Sequence, residues 1–391
     1  MLTVRLKKGY EKTILKGFPW VYAGNLVMSS EHLLAAPGEL AELRSVRDAF
    51  LGIGTFNAAA PIAFRMLSTR HEPIDAQFFR RRLEATLKKR EAKFREPYYR
   101  LAHAESDGLP GVILDRFGQA IVMQISTAGM ERLLPHLLEA LESVAPPHTL
   151  ILRNDIPARE HEGLARGVKI LKGTLPQSTE LYENGCTYLA DLLRGQKTGW
   201  FYDQRDNRKL AAQHALNKTV LDVYSHSGGF GLLAAKAGAA QVTLVDSSAP
   251  ALTLAAEAAK LNGVFDRCAF LQGDAFDTMQ ELARAKRLFD VVITDPPAFV
   301  KSRDHINNGM KGYEKVACMA AALTAPGGML AVASCSHHAT RTRFLQAVQS
   351  GIARAGRSGE ILHFTRHAAD HPPHPHLPQS EYLKALFLRI G

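Results

Sequence analysis

Through the first seventy positions short apolar runs alternate with polar residues: Leu2–Leu6, Leu40–Leu43 and Phe50–Thr55, separated by glycine and proline. A period of two between turn residues predicts short strands and a small β-rich domain over residues 1–70. At His71-Glu72-Pro73 the period changes. Asp75 reads as an N-cap, and Phe79, Leu83, Leu87 and Phe94 recur near helical spacing on one face. Arg81, Lys88 and Arg95 fall on another face, joined by Arg82 and Lys89; that stripe suits a phosphate backbone, or else is solvated through pairs such as Glu84–Lys88. Further strands are expected at Val112–Asp115, Ala120–Ile125 and Leu150–Arg153, with Arg116-Phe117-Gly118-Gln119 as a hairpin connection. One amphipathic helix is expected over Met130–Val144. Residues 71–186 then form an α+β middle domain whose acids and arginines lack convergent spacing.

From residue 187 to 391 strands and helices alternate, the signature of a doubly wound sheet. Strands are expected at Val220–Tyr224, Val242–Val245, Ala269–Leu271, Phe289–Thr294, Gly328–Ser334 and Tyr382–Leu388, and helices at Asn207–Ala215, Phe230–Ala237 and Pro250–Leu261. Ser227-Gly228-Gly229-Phe230-Gly231 joins the first of these strands to a helix, and Gly238 suits a left-handed cap. An open parallel sheet binds a nucleoside across the carboxyl ends of its strands, with a carboxylate on the ribose hydroxyls. Asp246 stands at such an end. The dinucleotide spacing G-x-G-x-x-G is absent, and the acidic Asp222 on the first strand would repel phosphate but could receive an ammonium. S-adenosylmethionine, with an amino group and no phosphate, therefore fits better than NAD.

With 391 residues the chain exceeds one ordinary domain, and 46% hydrophobic and 22% charged residues make a normal globular composition. No apolar run reaches the roughly 20 residues that span a bilayer, and MLTVRLKKGY lacks the apolar core of a signal peptide. A cytoplasmic protein is expected. A formal charge of +10 suits an anionic partner. Gly17-Phe18-Pro19-Trp20-Val21-Tyr22 places aromatics beside Lys7, Lys8, Lys12 and Lys16, a combination that suits RNA, while Trp20 also reads as the centre of a mini-core.

Chemistry concentrates at strand ends. Gly195–Arg205 is dense in polar and aromatic residues ahead of a helix, and Arg205 with nearby N–H groups could meet a carboxylate. Asp274 could accept from an exocyclic amine such as adenine N6. Asp295-Pro296-Pro297-Ala298-Phe299 is a stiff loop, because each proline fixes its own φ and restricts the residue before it. Cys335, between Ser334 and Ser336 at another strand end, is placed for chemistry. Cys186, Cys268 and Cys318 have no such context, and the four cysteines show no C-x-x-C pair that would suggest zinc. In His371-Pro372-Pro373-His374-Pro375-His376 the prolines keep the imidazoles extended, so no metal is expected.

Gly17–Leu26, Gly108–Gly118, Gly195–Arg208, Asp222–Gly231, Asp295–Phe299, Ser334–Ser336 and Glu381–Lys384 together resemble the class I S-adenosylmethionine-dependent RNA methyltransferases of 23S ribosomal RNA that carry an N-terminal PUA domain. The resemblance covers nearly the whole chain. It implies an α/β, Rossmann-like catalytic domain with a mostly parallel seven-stranded sheet (187–391), preceded by a small β-barrel PUA domain (1–70) and the middle domain (71–186). It also implies methylation of cytosine C5 through a covalent Cys335 adduct, with Asp295 holding the base. Cofactor contacts are expected from Thr198, Phe201, Gln204, Arg205, Tyr224, Ser225, Gly228, Asp246, Ser247, Asp274, Ala275 and Asp295. The expected partner is RNA, 23S rRNA first, with no membrane, no metal and room for a homodimer. Two features depart from the pattern: Ala298 stands where the family has lysine, with Lys301 and Arg303 as nearby substitutes, and no second cysteine follows Pro297. Guanine N-methylation and a non-catalytic RNA-binding protein with a degenerate fold are the alternatives.

Overall fold

The computed structural model describes residues 1–391, which divide into two compact units. The N-terminal unit holds Met1–Gln177 together with the returning segments Leu192–Trp200 and Asp370–Pro378; the C-terminal unit holds the remainder.

In the N-terminal unit β1 (Leu2–Leu6), β2 (Trp20–Tyr22), β3 (Leu26–Val27), β4 (Glu39–Arg44), β5 (Phe50–Phe56) and β6 (Ile62–Ser68) form one mixed sheet in the order β2-β6-β5-β4-β1-β3. Two one-turn helices, α1 (Glu11–Leu15) and α2 (Ser30–Leu34), interrupt it. Alternation along β1 buries Leu2, Val4 and Leu6 with Val21, Leu43 and Phe64. Trp20 is committed inside the fold: its indole N–H donates to Glu105 at 2.8 Å, and the Arg65 guanidinium lies 5.4 Å from its ring. Tyr10 and Tyr22 are the exposed aromatics here.

Helix α3 (Ala76–Glu91) starts where Asp75 accepts from the Phe78 N–H. Phe78, Phe79 and Leu83 are fully buried, each contributing about 1.5–3 kcal/mol of transfer free energy. The expected Glu84–Lys88 pair is not formed; Glu84 bonds Arg80 one turn earlier. The helix packs on a second sheet of β7 (Tyr98–His103), β8 (Val112–Phe117), β9 (Ala120–Ile125), β10 (Thr149–Arg153) and β11 (Val168–Lys172), ordered β11-β10-β9-β8-β7. The single helix expected over Met130–Val144 is two, α4 (Ala128–Arg132) and α5 (Leu134–Val144). Pro135 has no N–H to give and its ring would clash with the carbonyl of residue 131, so the α4 turn cannot run on, although the apolar period does. Asp115 on β8 is fully buried and bidentate with Arg100, both contacts at 2.8 Å.

The C-terminal unit opens with a hairpin, β12 (Thr179–Glu183) and β13 (Cys186–Ala190). Its main sheet comprises β14 (Thr219–Val223), β15 (Gln241–Asp246), β16 (Cys268–Gln272), β17 (Phe289–Thr294), β18 (Thr324–Ser334), β19 (Gly359–Thr365) and β20 (Lys384–Ile390). The order is β16-β15-β14-β17-β18-β20-β19, parallel except for β20, which runs against both neighbours. Helices α6 (Arg205–Ala212), α7 (Gly229–Lys236), α8 (Ala249–Leu261), α9 (Ala275–Arg284), α10 (Ile306–Leu323) and α11 (Arg341–Arg354) complete it. Strand order reverses between β14 and β17, and a crevice opens beyond the carboxyl ends of a sheet at such a switch point. No helix in the molecule is long and apolar enough to cross a membrane.

Candidate active site

The turn after β14 carries three left-handed residues within five: Tyr224 at φ 64°, His226 at 49° and Gly228 at 85°. Tyr224 is therefore not the last strand residue, as its apolar character suggests, but the first of a strained loop. Non-glycine residues in that region cost about 1–2 kcal/mol each. Gly228 caps α7, and a Cβ there would stand 2.7 Å from Leu232 Cγ.

Asp222 holds this loop from beneath. It is fully buried, and its Oδ2 accepts the Gly231 N–H at 2.7 Å. The carboxyl expected to receive an ammonium thus spends one oxygen on the protein backbone and is shut off from solvent. Burial, with the Asp295 and Asp246 carboxylates as lesser causes, raises its pKa from 3.8 to about 7. Its Oδ1 and the buried Ser225 Oγ have no hydrogen-bond partner.

Asp246, at the end of β15, accepts from the His226 N–H (2.8 Å) on one oxygen and from the Ser248 N–H (2.9 Å) on the other. Ser247 is exposed between them. Asp274 is the N-cap of α9, with Oδ1 accepting from Phe276 N at 2.8 Å and the carboxylate exposed; Ala275 behind it is buried. The Tyr224 hydroxyl is pushed up by burial and then by Asp274. The Phe201 ring meets the His226 ring edge-on at 5.3 Å between centroids. A buried hydroxyl without a partner, a carboxylate at the neighbouring strand end and a loop with no room for a Cβ fit a nucleoside.

Other expected cofactor residues are placed differently. Helix α6 begins at Arg205, two residues before the expected start at Asn207. Arg205 points to Glu183, 3.6 Å away, and shares it with Arg208 at 2.8 Å. Gln204 is buried and accepts from Asn207 at 2.6 Å. Thr198 lies in the N-terminal unit, wholly buried, donating to Asp115 at 2.6 Å. Glu183 escapes sequence reasoning because its arginines lie more than twenty residues away and no motif joins them.

The acceptor side is built by the loops after β17 and β18. Asp295 N–H reaches the Val223 carbonyl at 3.4 Å, tying its loop to the end of β14. Ser336 Oγ accepts from Val300 N–H at 3.1 Å and shares a 2.7 Å hydrogen bond with the Tyr313 hydroxyl, so the Asp295 and Cys335 loops are joined. Cys335 is half-buried between fully buried Ser334 and Ser336. Lys384, opposite Ser334 in the β18–β20 register, is buried and donates to the Ser336 and Ala339 carbonyls at 2.8 and 2.7 Å. Burial lowers its pKa to about 8, and electrostatic interaction with Cys335, then Glu381, offsets part of that. A cation there favours the thiolate. Its signal was legible: a lysine inside the apolar run Tyr382-Leu383-Lys384-Ala385-Leu386. By contrast, burial pushes the Cys186 and Cys268 thiols up to about 11, away from nucleophilic chemistry. Ala298 is half-buried, and Lys301 and Arg303 lie on the exposed segment after it.

Comparison with known proteins agrees with this architecture. Residues 164–389 match the S-adenosylmethionine-dependent methyltransferase family and residues 4–69 a PUA-like domain. The chain is 33% identical to a protein of Pseudoalteromonas atlantica named ribosomal RNA large subunit methyltransferase I, over 99% of both chains. A protein of the same name from Aeromonas salmonicida is 34% identical, over 99% of this chain and 98% of the relative. A solved SAM-dependent methyltransferase of Streptococcus mutans superposes with a TM-score of 0.84 over 100% of both chains at 21% identity, a likeness of fold. Another solved chain, described as a methyltransferase complexed with SAH, gives 0.85 with the same coverage and identity. The chain therefore belongs to the S-adenosylmethionine-dependent methyltransferase family, in the group that joins a PUA-like domain to this fold, and S-adenosylmethionine is its methyl donor.

Proposed function

We propose that the protein methylates C5 of a cytosine in 23S ribosomal RNA through a covalent adduct with Cys335. The large-subunit rRNA substrate follows the names of the full-length relatives. One observation carries the chemistry: the Asp295 and Cys335 loops are tied to each other through Ser336, and the Lys384 ammonium is bonded to the Ser336 and Ala339 carbonyls of the Cys335 loop. Residues 1–70 would bind RNA, 71–186 would position it and 187–391 would carry out the transfer.

Bound S-adenosylmethionine supplies an electrophilic methyl group. Asp246 would accept from the ribose hydroxyls, Asp274 from the adenine amine, and the Ser225 hydroxyl would gain the partner it lacks. Phe201 and Tyr224 would flank the ligand, and the Gly228 turn would let it approach the backbone. Cytosine C5 is too weak a nucleophile unaided. The Cys335 thiolate would add to C6, passing electron density to C5, while Asp295 holds the base by accepting from its exocyclic amine. Methyl transfer to C5 leaves S-adenosylhomocysteine; a base in the site then takes the C5 proton, and the C6–S bond breaks to return the thiolate.

Replacing Cys335 with Ala should abolish methylation and leave S-adenosylmethionine affinity within about twofold in calorimetry; full activity in that variant contradicts the covalent route. Ala298, in place of the family's lysine, keeps guanine N-methylation as a second reading. That reaction needs no thiol, so the same variant separates the two.

A further inference from the structure

We propose that the cleft between the end of β6 and one face of α3, in the N-terminal unit, binds the phosphodiester backbone of the RNA substrate through Arg70, Arg81 and Lys89. The proposal rests on the RNA reading above, and it assigns the cationic stripe of α3 that the catalytic chemistry leaves unused.

Sequence spacing builds the cleft. Phe78, the pair Arg81 and Arg82, the pair Ala85 and Thr86, and Lys89 succeed one another a turn apart, so they share one helix face. Facing them are the last residues of β6 and the segment to Arg70, and the space between is about 500 Å³, the size of a small-ligand site. Four cations line it against two acids, Glu72 and Asp107. Asp107 pairs with buried Arg90 and accepts from the His103 N–H, both through Oδ2, so its charge is offset by Arg90, while its Oδ1 is buried without a partner. Glu72 bonds Arg81 at 2.6 Å and accepts from the Ser68 hydroxyl, which fixes the Arg81 guanidinium at the rim.

Arg82 is held deeper. It donates to the Gly108 and Leu67 carbonyls, has no carboxylate in contact and lines the cleft. Arg70 and Lys89 are exposed and their side chains make no hydrogen bond or ion pair within the protein. A long cation left without a partner beside an anchored guanidinium is suited to an anion with several acceptor oxygens. The formal charge of +10, the exposed Lys88 on the same helix and the exposed Arg95 in the segment after it favour a polymer of phosphates over a single small anion.

The test measures affinity for a single-stranded 23S rRNA fragment between 50 and 200 mM salt, using the full chain, Arg70→Ala/Lys89→Ala, and a charge-matched control, Lys169→Ala/Lys286→Ala. The cleft variant should weaken binding at least fivefold at the low-salt end. It should also reduce the slope of log K against log salt by about 1.4, roughly 0.7 per lost phosphate contact, with S-adenosylmethionine affinity unchanged. An unchanged slope, or an equal loss in the control, overturns the assignment. Thermal stabilisation of the full chain by inorganic phosphate that is lost in the cleft variant, with the RNA slope intact, overturns it in favour of a small-anion site. Absence of RNA binding by the full chain at all salts defeats the RNA reading itself.

Discussion

Asp222 shows how one side chain constrains the catalytic edge. Its carboxyl is buried, bonded to a single N–H and close to two other acids, so the folded protein keeps its proton up to about pH 7 while the unfolded chain releases it near 3.8. Between those values the folded state holds more protons, so stability falls as pH rises through that window, by on the order of 2–4 kcal/mol. Asp222→Asn preserves an oxygen for the Gly231 N–H and has no charge to bury. Urea unfolding at pH 4.5 and 7.5 should show that decline for the wild type and a much smaller one for the variant; equal declines would mean Asp222 is ionised throughout. The chemistry of this residue was only half legible. Its acidity is plain in the sequence, but which way it faces depends on Gly231, nine residues on and across a turn. Asp115 and Glu183 were illegible for the same reason, since Arg100, Thr198, Arg205 and Arg208 find them only in three dimensions.

At the scale of elements, the β14–α7 connection is where local strain and ligand access coincide. Gly228→Ala places a Cβ in a left-handed residue and against Leu232, so it should cost about 1–2 kcal/mol of stability and weaken S-adenosylmethionine binding at least tenfold. Thermal melting with calorimetry checks both, and a variant that binds the cofactor normally would remove this loop from the binding site. Elements with an unambiguous apolar run were read to the residue, as with Phe289–Thr294, whose strand coincides with the expected one. Met130–Val144 was not, because hydrophobic period and backbone chemistry disagree at Pro135 and the backbone prevails. Strands β12, β13 and β19 carried weaker patterns: β19 is largely exposed on the sheet edge, so burial imposed little alternation on it.

Across the whole molecule, charge and chain path matter more than any single contact. The Gly195–Trp200 half of the polar segment and the histidine–proline segment Asp370–Pro378 both leave the catalytic unit to pack with the N-terminal one. His371 is buried against Asp370, whose other oxygen accepts the Arg100 N–H at 2.9 Å. His371 thus has a structural use that composition alone could not reveal.

The most direct measurement of the central claim is mass mapping of 23S rRNA from cells lacking the gene, re-expressing either the wild type or Cys335→Ala. The account predicts that one 5-methylcytosine disappears in the deletion, returns with the wild type and does not return with Cys335→Ala. Unaltered rRNA in the deletion, or full restoration by Cys335→Ala, would contradict it.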